Sequence, residues 1–144
     1  MKLTLEQVPG LSEAQVHIRY GNLDNRLQKI IRLMQDNHTL LNVKSSSSTK
    51  LIRCESVLYF ESVDEKTFVY CKDTVFSSDR KLYELEELLC DGSFVRISKS
   101  CILNLDWLDS VRVLLNGKME AKLTNGEKLI ITRHYVPEFK QKLL

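Results

Sequence analysis

Apolar residues recur along this chain with two periods, one near two residues and one near 3.6, and their order lays out the elements. Leu3, Leu5 and Val8 open an apolar pattern, and Val16, Ile18 and Tyr20 alternate with His17 and Arg19 in the manner of a half-buried strand. Asn22 or Asp24 then stands where it can cap a helix on which Leu23, Leu27, Ile30, Ile31 and Met34 share one face. With the run Leu40-Leu41-Asn42-Val43, residues 1–45 read as a compact β-β-α-β extension. Its helical stripe is expected to pack on the strands beside it or to face a partner.

Four serines, Ser45 to Ser48, mark the boundary, either as a linker or as a polar turn between strands. Beyond them come short runs with strand character: Val57 to Val63, Thr67 to Lys72, Val75 to Ser78, Phe94 to Ser98, Leu108 to Leu115, Lys118 to Leu123 and Leu129 to Thr132. Asn116-Gly117 and Asn125-Gly126 are hairpin signals, because both residue types tolerate the positive φ of tight turns. One helix is expected at about Lys81 to Cys90, ended by Asp91-Gly92, and a last one from Pro137 with Phe139 and Leu143 on one face. The fold class expected is therefore mainly β with short helices: a small α+β extension over residues 1–45, then a β domain over residues 46–144.

Composition narrows the class. The 144 residues, 43% hydrophobic and 28% charged, with five glycines and two prolines, suit one globular unit plus a short extension. No run approaches the roughly 18 apolar residues of a membrane span, and the N-terminus lacks a signal-peptide core, so a cytoplasmic protein is expected. Cys54, Cys71, Cys90 and Cys101 lie far apart, which suits reduced and mostly buried thiols rather than a zinc site. Net charge is only +2, yet it is uneven: residues 93–144 hold nine Lys/Arg against five Asp/Glu, and the rest hold twelve against fourteen. The basic excess is C-terminal.

Candidate chemistry is sparse. His17, His38 and His134 form no metal or triad spacing, and Glu84, Glu86 and Glu87 read as the solvated face of a helix. No enzyme, metal or cofactor is expected. A helix-turn-helix is disfavoured as well, since the two best helices stand some 45 residues of strand apart. What remains are basic loops with hydroxyl and amide groups: Asp64-Glu65-Lys66-Thr67, Arg96-Ile97-Ser98-Lys99-Ser100 and Thr132-Arg133-His134. Such loops suit phosphates and guanine edges, although composition alone also fits a β-rich protein-interaction module with incidental basic loops.

Five segments, in order, resemble the LytTR family of bacterial DNA-binding domains: Val57-Leu58-Tyr59-Phe60-Glu61-Ser62, Leu82 to Leu89, Phe94 to Leu105, Asn125 to Leu129, and Thr132-Arg133-His134-Tyr135. The resemblance covers about residues 46–144. It implies an elongated β domain that inserts loops into successive major grooves at promoters, usually over paired direct repeats, with bending of the DNA. Carried onto this chain, it assigns base contacts to Lys66 or Thr67, Lys99 and Arg133, with Ser98, Ser100 and His134 suited to phosphates and Asn104 bracing its loop. Lys99 stands where some relatives carry a neutral amide, which implies different preferred bases. Forty-five N-terminal residues are too few for a receiver domain, so the chain resembles the stand-alone members. Many of those are encoded beside a membrane protein that restrains them. The partners expected are thus double-stranded DNA, a membrane-bound inhibitory protein and a second copy of the chain, at least on DNA. Residues 1–45 would supply the dimer contact or the surface that the inhibitor grips.

Overall fold

Strands form here where alternating side chains find cover on the faces of a sheet. A computed structural model of the chain describes residues 1–34, 39–90 and 92–143; His38, Asp91 and Leu144 lie outside the described residues. In chain order the elements are α1 (Asn25–Met34), β1 (Leu40–Ser45), β2 (Ser48–Arg53), β3 (Val57–Val63), β4 (Lys66–Cys71), β5 (Val75–Ser78), α2 (Leu82–Leu88), β6 (Phe94–Ser98), β7 (Cys101–Asn104), β8 (Leu108–Val113), β9 (Met119–Leu123), β10 (Lys128–Ile131) and α3 (Val136–Leu143). A seven-stranded sheet runs β2-β1-β5-β4-β3-β7-β6, and a smaller one runs β10-β9-β8. The strand pairs are antiparallel. The expected mainly-β class with short helices is what forms.

Where β3, β7 and β6 run, the larger sheet is buried on both faces, whereas β1 and β2 leave a face exposed. On one side Val57, Phe60, Val69, Phe76, Phe94 and Ile102 pack under Leu82, Leu85 and Leu89, which α2 and the turn after it supply. On the other, Leu58, Tyr59, Val95, Ile97, Cys101 and Leu103 pack against Met119, Ala121 and Leu123 of β9, Ile131 of β10 and Phe139 of α3. Along β6 and β7 the split follows the pleat: Val95 and Ile97 face the small sheet, whereas Phe94 and Ile102 face the α2 side. In β3 a register shift between Val57 and Tyr59 puts Leu58 and Tyr59 together on the small-sheet side. Tyr59 stacks on Tyr70 with ring centroids 4.3 Å apart. Burial first, and then the nearby Glu127, raise its phenol pKa above the ordinary value.

The serine run proves to be a turn. Ser45 pairs with Ser48, so Ser46 and Ser47 close a two-residue hairpin between β1 and β2. The expected boundary after residue 45 falls inside that hairpin, and β1 is hydrogen-bonded into the main sheet beside β5 through Lys44 and Ser77. Residues 1–24 hold no strand, contrary to the alternation at Val16, Ile18 and Tyr20. Leu3, Leu5, Val16 and Tyr20 are exposed there, and among the described residues no strand pairs with this segment to use its two faces. The helix after them forms where expected: Leu27 N–H donates to the Asp24 carboxylate at 2.7 Å, which makes Asp24 the cap. Leu27 is buried, while Leu23 and Met34 at the ends of the stripe stay exposed.

Candidate nucleic-acid interface

The three basic loops meet at one end of the seven-stranded sheet. Two backbone bonds join them: Ser62 N–H donates to the Ser100 carbonyl at 2.8 Å, and Thr132 N–H donates to the Ile97 carbonyl at 2.9 Å. The first ties the β3–β4 hairpin to the β6–β7 turn, and the second ties the end of β6, just before that turn, to the segment after β10. Side chains from three separate stretches of sequence are thereby set on backbone segments that are hydrogen-bonded to one another.

Each loop has its own local cause. Asp64 and Glu65 form a two-residue hairpin turn with φ of 50° and 65°, the left-handed conformation that such turns demand even of non-glycine residues. Lys66 follows it, paired with Val63, and is exposed. Thr67 is not: only 3% of it is accessible, and it sits in β4 opposite Ser62 and Ser78. The expectation that Thr67 serves as a base contact is therefore corrected. The strand period turns its side chain inward, and Lys66 alone of that pair reaches solvent.

At the β6–β7 turn, Ser98 Oγ accepts from the Ser100 N–H at 3.2 Å and lies 3.4 Å from Ser100 Oγ, leaving Lys99 at the tip, exposed. After β10, Thr132 secures its own segment with a second bond from Oγ1 to the Ile97 carbonyl, at 3.3 Å. Arg133 and His134 then emerge on a single 3-10 turn, exposed, with His134 packed edge-on against Tyr135 at 5.1 Å. The stem of Arg133 lies along the β8–β9 turn. A Cβ added at Gly117, whose φ is +74°, would come within 3.1 Å of Arg133 Cγ, so glycine serves both the turn and the passage of this side chain.

Asn104 braces its loop as expected. Fully buried, it donates from Nδ2 to the Val57 carbonyl at 2.8 Å and accepts the Asp106 N–H at 3.0 Å. Cys101 is a packed thiol. Burial, reinforced by the charge of Glu61, pushes its pKa up to about 12, far from the thiolate range that redox reactivity needs.

Other contacts escaped the sequence reading. Arg96, grouped in the sequence with the basic loops, turns its guanidinium back onto the β6–β7 turn. Lys81, just before α2, donates to the Glu65 carbonyl at 3.1 Å. The signal for Arg96 lay in the pleat: between two inward residues, Val95 and Ile97, it has to face the α2 side, where Glu86 lies.

Among the described residues no group of His, Cys, Asp or Glu is arranged to hold a metal ion, and no helix is long and apolar enough to cross a membrane. The inner helices α1 and α2 are separated by five strands, so they do not form a helix-turn-helix unit.

These features define a small two-sheet β domain with three basic loops joined at one end of its main sheet. Comparison with known proteins gives that class its family. The LytTr DNA-binding domain matches residues 47–144, and the chain belongs to this family. Its fold is similar to that of the LytTr DNA-binding domain of a Bacillus cereus protein, with a TM-score of 0.69 at 24% identity over 72% of this chain and 95% of that one. A Staphylococcus aureus protein named as an HTH-type transcriptional regulator is 26% identical over 146 residues, spanning 99% of this chain and 98% of its own. The sensory transduction protein LytT of Enterococcus faecalis is 31% identical over 87 residues, 60% of this chain and 36% of that protein.

Proposed function

We propose that this chain is a sequence-specific DNA-binding transcription regulator that inserts the turns at one end of its main sheet into successive major grooves at promoter repeats. Membership of a DNA-binding family and a relative named as a transcriptional regulator over nearly its whole length support the class. The observation that carries the reading is the pair of backbone bonds, Ser62 to Ser100 and Thr132 to Ile97, which join the three basic turns. In this reading Lys66, Lys99 and Arg133 contact bases, and Ser98, Ser100 and His134 contact phosphates. Each of the six is outside the buried core, and among the described residues none of the three cations forms a salt bridge with a carboxylate.

The protein works in the cytoplasm and acts as a homodimer, at least on DNA. Residues 1–24, with Leu3, Leu5, Val16 and Tyr20 exposed, offer the apolar surface for a second copy. The same surface is where a membrane-bound inhibitory protein would hold the chain.

Salt tests the class. Duplex fragments selected from the host genome should bind with an affinity that falls steeply as salt rises, because neutralised phosphates release counterions. An affinity nearly flat in salt, or no recovery of paired repeats, would favour a β-rich protein-interaction module instead.

A further inference from the structure

The β6–β7 turn is held by a side chain that the DNA reading does not use. Arg96 donates from Nε to the Ser98 carbonyl at 2.8 Å and from Nη2 to the Lys99 carbonyl at 2.5 Å. Its Nη1 lies 3.4 Å from a carboxylate oxygen of Glu86 on α2. The guanidinium thus spans two consecutive carbonyls of the turn with one edge and meets the helix with another, and its side chain is only 15% exposed. A planar fork with five donors can make these bonds together; an ammonium, as a point charge, cannot. The carbonyls it takes up belong to Ser98 and Lys99, the residues on which the proposed phosphate and base contacts sit.

We infer that Arg96, anchored by Glu86, is a positioning residue for DNA recognition: it holds the β6–β7 turn so that Lys99 is presented in one orientation. This rests on the assignment of Lys99 given above. Without the fork, the carbonyls of Ser98 and Lys99 lose their common donor, and Lys99 has to be ordered at the moment of binding, at an entropic cost. Helix α2 thereby acts on DNA recognition without touching DNA. It reaches the neighbouring hairpin in the same way, through Lys81 and the Glu65 carbonyl.

The variants Arg96→Gln, Arg96→Lys, Glu86→Gln and Lys99→Ala, with the double variant Arg96→Gln/Lys99→Ala, test this on the full chain. In free protein, 15N relaxation should show the amides of Ser98 to Ser100 more mobile in Arg96→Gln, while those of the β8–β9 turn stay as they were. Affinity for a selected duplex should fall about tenfold, a change worth about one decade in Kd, with Arg96→Lys recovering only part of it. Lys99→Ala should lose most of its effect in the Arg96→Gln background, since contacts that depend on one another are not additive.

Glu86→Gln gives the sharpest sign. Removing a negative charge would strengthen DNA binding if Arg96 met a phosphate directly, whereas loss of the anchor should weaken it. The inference is overturned if the turn stays equally ordered in Arg96→Gln, if Lys99→Ala and Arg96→Gln add in full, or if Glu86→Gln tightens binding. Should Lys99→Ala alone leave affinity and base preference unchanged while Arg96→Gln still loosens the turn, the fault lies with the base-reading assignment of Lys99 and not with the brace.

Discussion

At the turn end of the main sheet, exposed cations stand on backbone that is bonded to a neighbouring turn. In residues 1–24, by contrast, Leu3, Leu5, Val16 and Tyr20 are exposed on chain that forms no strand. Both regions contain the period-two alternation of a half-buried strand. The difference lies in what is beside them. β6 has β7 along one edge, α2 on one face and the small sheet on the other, so its alternation is converted into burial. Among the described residues no strand pairs with Val16, Ile18 or Tyr20, and only Ile18 is half-buried. An alternating pattern states that a segment has two unlike faces; a sheet has to be present to use them.

The comparison can be broken most forcefully by removing the support of the ordered region. Phe139 is fully buried where α3 closes the core over β6, and Phe139→Ala should destabilise the domain by about 3–5 kcal/mol. Urea unfolding checks this; a loss under 1 kcal/mol would mean that α3 is not part of the scaffold. Next comes the working surface itself. Arg133→Ala should weaken DNA binding by about 1–3 kcal/mol and relax preference at one base pair, without lowering thermal stability. Fluorescence anisotropy on variant sites reads it out, and equal weakening on every sequence would make Arg133 a phosphate clamp.

The buried thiol gives a smaller effect with a defined sign. The folded-state pKa of Cys101 is raised from 9.0 to about 12, so folding favours its protonated form. Its contribution is present in full below the unfolded value and is lost as pH rises through the window from 9.0 to about 12. By roughly pH 10 the loss should be on the order of 1 kcal/mol, and Cys101→Ala should reduce the slope of stability against pH there. Cys54, Cys71, Tyr59 and Tyr70 are shifted in the same direction and retain the rest of that slope.

The smallest effect on stability should come from the other region. Deleting residues 1–20, which leaves the Asp24 cap in place, should change domain stability by no more than about 0.5 kcal/mol, as for surface changes elsewhere. The same deletion should convert a dimer to a monomer by light scattering. An unchanged mass would remove the dimerisation role of the segment, and a large drop in stability would mean that the segment is part of the fold.

The β domain was largely legible because its strands alternate, its turns carry Asn-Gly pairs, and its helices have short, clear apolar stripes. β3, β5 and β6 fall where the residues placed them. The hairpin of β1 and β2 was harder to see, since β2 is an edge strand of mostly exposed residues with a serine turn before it. At the site, Lys66, Lys99 and Arg133 were legible as basic residues in loops. Their neighbourhood was not, because bonds between Ser62 and Ser100 or Thr132 and Ile97 depend on strand order, which no local pattern encodes. Thr67 was misplaced by one step of the pleat, and Arg96 read as part of a basic loop, with no local signal that it bonds the carbonyls of its own turn.

Whether turns or helices meet DNA can be measured directly by titrating the 15N-labelled full chain with a duplex recovered from genomic selection and following every amide. The proposed reading predicts that the largest shifts fall on Lys66, Ser98 to Ser100, Arg133 and His134, with the exposed face of α2 at Tyr83 and Glu87 little changed. Large shifts confined to α1 or to the exposed face of α2, with the three turns silent, would contradict it.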